Sequence, residues 1–255
     1  DVKDFSIGET PVTAEQFALF LNSQEISNDV NTLYYVSSSS KSYARVVKIK
    51  SIYEALEGKQ RLPADQVTWV GAVKYCEWLT KLTGKDFRLP TDAEWEYTAR
   101  GTEGRLWPWG NSIPDNTKGS RWARHPGRAF PVGSFPKNAT PEGVRDMLAY
   151  VTGEWTISKY TEALAKETCN FEYADLNDLE SLRVVRGCYR KQMSKIPFWE
   201  KYWMVGGFHE GRVWTRVGEH PLKAPTKAAR FGVRVVLDES QNTRNTQDGM
   251  QGQTI

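Results

Sequence analysis

The sequence predicts one loop-rich domain in which short helices and short strand-like runs are mixed. Three observations carry that reading. Thr91 with Glu94 three residues on is a capping box, Asp92 adds a carboxylate where the helix dipole is positive, and Gly101 suits a left-handed helix end, so a helix over residues 92–100 is nearly dictated. A similar cap at Thr13 and Gln16 opens a second amphipathic stretch. Residues 107–129 are rich in Gly, Pro, Asn and aromatic residues with few helix or strand signals, which predicts packed irregular structure held by its own side chains. At 255 residues the chain can bury a sizeable core without covalent staples.

In chain order, residues 5–8 read as a short strand and residues 14–22 as a helix whose Phe17, Phe20 and Leu21 share a core-facing side. Residues 24–42 are polar and are expected to be an insertion or mobile loop, most flexible over the four serines 37–40. Alternation over residues 43–52 suits an exposed hairpin or edge strand. Thr68 can cap the next helix, which ends near Gly84 and carries Cys76 among apolar positions spaced by three and four, as a buried thiol. Trp107 and Trp109 are read as core or loop anchors rather than a ligand cage. Strand-like apolar runs at residues 202–205 and 213–217 make Trp203 and Trp214 core candidates. Beyond Leu237 the chain is polar without apolar periodicity, a tail over residues 238–255.

Composition narrows the function classes. A net charge of +3 does not call for a polyanion, so nucleic acid is not the expected main partner, and no apolar run reaches the length of a membrane span. Cys169 and Cys188 could pair or stay free. His125, His209 and His220 are scattered and no Cys-x-x-Cys or His-x-x-x-His spacing occurs, which disfavours a catalytic zinc site. Asp1 in place of an initiator Met leads us to expect a processed product, with any signal or lipid-attachment peptide upstream.

The block Arg88-Leu89-Pro90-Thr91-Asp92-Ala93-Glu94-Trp95-Glu96-Tyr97-Thr98-Ala99-Arg100-Gly101, followed by Trp107-Pro108-Trp109-Gly110-Asn111, closely resembles the formylglycine-generating-enzyme, or sulfatase-modifying-factor, family. Residues 8–22, 67–84, 131–136 and 143–148, Glu154-Trp155, residues 183–187 and residues 231–236 continue the resemblance in order. It implies an α+β fold: a single irregular, loop-rich domain of the formylglycine-generating-enzyme type with a C-type-lectin-like fold over residues 1–237, closed by a strand at 231–236.

Two departures from the family pattern bear on function. In relatives the block around residues 143–160 helps bind calcium; here its Gly-Asn pair is lost and Glu154 is the one candidate ligand left, so calcium is a possible cofactor and none other is expected. Active members carry two cysteines a few residues apart after the Arg-Gly block, which hold copper(I) between thiolates and attack the substrate cysteine. This chain continues Gly187-Cys188-Tyr189-Arg190-Lys191-Gln192-Met193 with no later cysteine, so a two-thiolate site cannot be assembled there and the oxidase chemistry is expected to be absent.

Residues 189–216 instead mix aromatic and basic side chains, a composition enriched at recognition surfaces. The candidate ligand-binding residues are Tyr189, Arg190, Lys191, Met193, Lys195, Phe198, Trp199, Lys201, Tyr202, Phe208, His209, Glu210 and Arg212, against the alternative that about half of the aromatics fill core. The position, 188–230, resembles that of the hypervariable surface in variable proteins of diversity-generating retroelements, although the many Lys, Glu, Met and Trp residues match that mutagenesis less well. The resemblance therefore implies a non-catalytic, receptor-type monomer taking a protein or glycan ligand, exported to the cell surface or periplasm of a bacterium. The alternatives are a structural lipoprotein of an envelope or secretion assembly, and an enzyme of altered chemistry using Cys188 or His209 with Glu210.

Overall fold

The computed structural model describes residues 2–23, 30–34, 44–112, 129–148, 152–161, 175, 177–187, 217–222 and 231–239. Strand β1, Phe5–Ile7, leads to helix α1, Ala14–Ser23. The helix is opened by a reciprocal cap: the Thr13 N–H donates to Gln16 Oε1 (2.9 Å) and the Gln16 N–H to Thr13 Oγ1 (3.3 Å). Its buried Phe17 and Phe20 meet Tyr75 of helix α3, Trp69–Thr83, at ring-centroid distances of 5.8 and 5.6 Å. That aromatic contact seats the two helices on each other. As the sequence predicts, α3 is capped by Thr68, whose side chain accepts from the Gly71 N–H, and ends at Gly84 in the left-handed conformation (φ 71°).

Between α1 and α3 the structure corrects two expectations. Within the stretch expected to be a loop, Val30–Leu33 form a helical turn, α2, and Tyr34 is fully buried, its hydroxyl bonded to the Val46 backbone. A large aromatic side chain with an anchored hydroxyl ties that part down; residues 24–29 and 35–43 lie outside the described ones. The hairpin is β2, Val46–Ile49, paired with β3, Ile52–Ala55, through a two-residue connection in which Lys50 takes φ 56°. It is only half exposed, because Val46 and Tyr53 bury one face while Asn22 of α1 bonds the Tyr53 N–H and carbonyl.

After α3 come β4, Phe87–Arg88, and helix α4, Asp92–Arg100. The capping box is complete in both directions, and Gly101 closes the helix with φ 60° and an extended ψ of −170°, a positive-φ end though not the left-handed helical one expected. Strand β5 is Gly153–Lys159, β6 Arg183–Arg186, β7 Val217–Glu219, β8 Phe231–Gly232 and β9 Val236–Asp238. Besides the β2-β3 pair, one sheet has the order β1-β9-β4 and another β7-β6-β5-β8.

The closing strand expected at 231–236 is therefore two strands in two sheets. β8 runs parallel to β5, whereas β9 runs antiparallel between β1 and β4. The intervening carbonyls of Val233 and Val235 accept from Val12 and Gly8, and Arg234 turns inward, so no ladder continues through them. The domain edge also lies past Leu237: Asp238 pairs with Phe5 and its carboxylate meets Arg88 at 3.1 Å, while Glu239 accepts from the Ser6 hydroxyl. Residues 240–255 of the polar tail are outside the described ones.

Among the described residues two apolar clusters form. One gathers α1, α3, the hairpin, Trp155, Val185 and Phe231; the other packs Trp95 and Ala99 of α4 against Trp107, Val144, Met147 and Leu148. Trp107 is the buried anchor predicted, stacked on Trp109 at 6.2 Å, while residues 113–128 lie outside the described ones. Among the described residues no helix is long and apolar enough to cross a membrane.

Candidate binding site

Strand register fixes where the aromatic and basic segment leaves and rejoins the fold. Because β6 and β7 are antiparallel with Val185 opposite Val217, residues 188–216 connect neighbouring strands at one end of their sheet. Glu154 opposes Arg186, and Gly153 opposes Phe231 in parallel, so the start of β5 and the start of β8 reach that same end. Four chain passages thus converge where the candidate segment begins and ends. The candidate residues 189–212 themselves lie outside the described ones, as do Trp203, Trp214, His125, Cys169 and Cys188.

The floor beneath this end is built around Trp95. Its Nε1 donates to Glu154 Oε2 at 2.6 Å, and the Arg186 guanidinium covers the ring at 4.9 Å from its centroid. Arg186 is fully buried and meets Asp92 at 3.3 Å and Glu96 at 2.9 Å, joining β6 to α4. Arg100 reaches the other oxygen of Glu96 at 2.7 Å. Each guanidinium is offset by carboxylates, which is the condition for keeping such charges out of water.

Glu154, the candidate calcium ligand, is buried, and its oxygens face donors. Arg234 Nε bonds Oε2 at 2.9 Å and Nη2 bonds Oε1 at 2.8 Å, a bidentate pair beside the Trp95 N–H. A guanidinium thus occupies the approach that a cation would take, and among the described residues no group of three His, Cys, Asp or Glu side chains could hold a metal. Glu154, the calcium ligand that the family resemblance implies, is thus taken by Arg234 and Trp95, and residues 149–151 of the same block lie outside the described ones. Of the thiols, Cys76 is buried in α3 with burial pushing its pKa up, and Cys188 is the one thiol after β6.

Glycines let the backbone pack at this end. Gly187, the last described residue before the segment, takes φ 82°, and a Cβ there would sit 3.2 Å from the Met147 carbonyl. A Cβ on Gly153 would lie 2.6 Å from Val185 Cγ1, and one on Gly232 would lie 2.5 Å from the Ala64 carbonyl. Sequence reasoning quoted Arg186 and Arg234 as motif letters and missed their role as buried cations. The signal was present in that Arg186 ends the run Val184-Val185 and Arg234 stands between Val233 and Val235, where a lone charge needs a partner.

The sequence profile of the "Sulfatase-modifying factor enzyme 1-like domain" matches residues 1–238. The chain belongs to that family. Over 121 residues it is 37% identical to the formylglycine-generating enzyme of Bos taurus, covering 42% of this chain and 30% of that protein. Over 176 residues it is 31% identical to the inactive C-alpha-formylglycine-generating enzyme 2 of Bos taurus, covering 65% of this chain and 48% of that one. The chain thus spans less than half the length of these curated relatives. PvdO from Pseudomonas aeruginosa superposes with a TM-score of 0.59 at 22% identity, covering 92% of this chain and 80% of that one. Treponema denticola variable protein 1 superposes with a TM-score of 0.54 at 15% identity, covering 91% and 84%. These two likenesses concern the fold: a single α+β domain of the formylglycine-generating-enzyme type, C-type-lectin-like in class.

Proposed function

We propose that this member of the sulfatase-modifying factor family is a non-catalytic binding protein whose ligand surface is the segment after Gly187. The observation that carries the reading is Cys188 as the only thiol between β6 and the closing strands, in a segment otherwise rich in aromatic and basic side chains. Four chain passages converging on a floor of neutralised charges would hold such a surface in place. Similarity to a relative described as inactive supports the loss of oxidase chemistry, and the fold shared with a variable protein supports a display role, with hypervariability of residues 188–230 as its finer form. The ligand is a protein or glycan, reached from a cell-surface or periplasmic position, with calcium dispensable.

Two measurements test this. Mass spectrometry of a cysteine-bearing peptide incubated with the full chain, copper(I) and oxygen should return the peptide unmodified; conversion of its cysteine to formylglycine would overturn the non-catalytic reading. Partners captured by surface cross-linking should lose at least about tenfold in affinity when Tyr189, Phe198, Trp199 and Phe208 are replaced by Ala. Unchanged affinity in that variant would remove the segment as the ligand surface. Sequencing the locus across cells of one strain reads variability directly, as substitutions confined to codons 188–230.

A further inference from the structure

A recess lies between β1 and the C-terminal end of α4, lined by none of the residues that anchor the 188–216 segment. It is a cavity of about 480 Å³, within the range of sites that hold a small molecule or one large side chain. Its walls combine two features. Phe5 and Tyr97 meet edge to face with centroids 6.4 Å apart, and Tyr97 is 45% exposed, an aromatic surface left open on the cavity side. Around them stand the carboxylates of Asp4 and Glu239, with that of Glu142 paired to Arg105, against the amine of Lys3 among the described lining residues.

That imbalance is local, because the chain as a whole carries +3. The carboxylates are also positioned. Arg105 holds Glu142 through two bonds of 3.1 and 3.0 Å, its own charge offset by Glu103 alongside, and the Ser6 hydroxyl donates to Glu239. Aromatic faces and carboxylates together attract one chemistry, a cation on an apolar stem: the ring quadrupole takes its face and the carboxylates take its charge.

We infer that this recess takes the side chain of an arginine or lysine presented by a partner polypeptide. The cation lies over Tyr97 between Asp4 and Glu239, and the aliphatic stem lies against Ile7 and Val144. This site is independent of the ligand surface proposed above, and either can fail without the other.

The test is calorimetric titration of the full chain with acetylated, amidated Gly-Arg-Gly and with the same peptide carrying citrulline, which keeps the shape and removes the charge. The arginine peptide should bind and the citrulline peptide should bind at least about fivefold more weakly. Tyr97→Ala should weaken the arginine peptide about fivefold, and Asp4→Asn or Glu239→Gln about threefold each, with the effect shrinking in high salt. Lys3→Gln should strengthen it. All four positions are at the surface of the recess, and unchanged circular dichroism confirms folding of each variant.

Equal binding of the two peptides, no heat with either, or indifference to Tyr97→Ala and Glu239→Gln would overturn the inference. Arg244 is a control within the chain, five residues past Glu239 and so within about 17 Å of extended reach. Binding that appears only in Arg244→Gln would overturn a partner's side chain in favour of the chain's own.

Discussion

At the scale of single residues, the buried ion pairs have the largest expected effects. Glu154→Gln keeps the volume but leaves the Arg234 guanidinium facing a neutral amide in a site closed to water. Breaking one partner of a buried pair costs about 3–5 kcal/mol, so chemical denaturation should show a loss of that order. Calcium should not restore it, since Arg234 already occupies the cation's approach. Asp146 tests a different balance. Burial raises its carboxyl above the ordinary range, outweighing the bond from the Gly133 N–H and the nearby Arg234 and Arg145, and Glu154 adds to the rise. A carboxyl with a raised folded value costs stability above that value, and the cost disappears as pH falls through it. Asparagine can still accept from Gly133 and tolerates the φ of 59° found there. Asp146→Asn should therefore raise the melting temperature at neutral pH, with the gain shrinking toward pH ~4. A lower melting temperature at neutral pH would contradict the sign.

At the scale of elements, α3 and α4 separate propensity from packing. Gly71 sits in the first turns of α3, where alanine would ordinarily favour the helix by ~1 kcal/mol. A Cβ there would lie 2.0 Å from the Leu33 carbonyl of α2, a backbone atom that cannot swing aside. Gly71→Ala should thus destabilise by about 1–3 kcal/mol, read as a lower denaturation midpoint; a gain would mean that α2 does not pack there. In α4 the capping box also carries Glu94 into a bidentate bond with Arg88, both distances 2.7 Å. Burial alone would raise the Glu94 carboxyl, but Arg88 and the Thr91 N–H outweigh it and hold it below the usual range. A depressed folded value contributes stability above the unfolded one that is lost as pH falls through the folded one. The two contributions therefore oppose each other: mild acidification relieves the cost at Asp146, and further acidification removes the contribution of Glu94.

At the scale of the whole molecule, the two chain ends close the fold on each other. Phe5 opposes Asp238 across β1 and β9, and β9 also pairs with β4, so one three-residue strand joins parts of the chain that are distant in sequence. Deleting residues 235–255 should abolish cooperative unfolding, because β1 and β4 would each lose their ladder and Arg88 its Asp238 partner. A sharp transition in that variant would mean that β9 is dispensable. The same connectivity explains why the ligand surface proposed here is carried at one end of the larger sheet, where β6 leaves and β7 returns.

The sequence by itself determined the elements governed by near neighbours. The caps at Thr13, Thr68 and Thr91, the buried face of α1, the Trp107 anchor and the family follow from residues within a few positions of one another, where hydrogen bonding and periodicity are local. Only the tertiary structure decided that the closing strand splits between two sheets, that Tyr34 is buried inside a polar stretch, and that Glu154 belongs to Arg234 and Trp95. Each of those depends on a partner beyond the local turn, 12 residues away for Tyr34 and Val46 and 80 for Glu154 and Arg234. A carboxylate in a strand reads alike in sequence whether a metal or a guanidinium faces it, because what it binds is set by which chain passes in front of it.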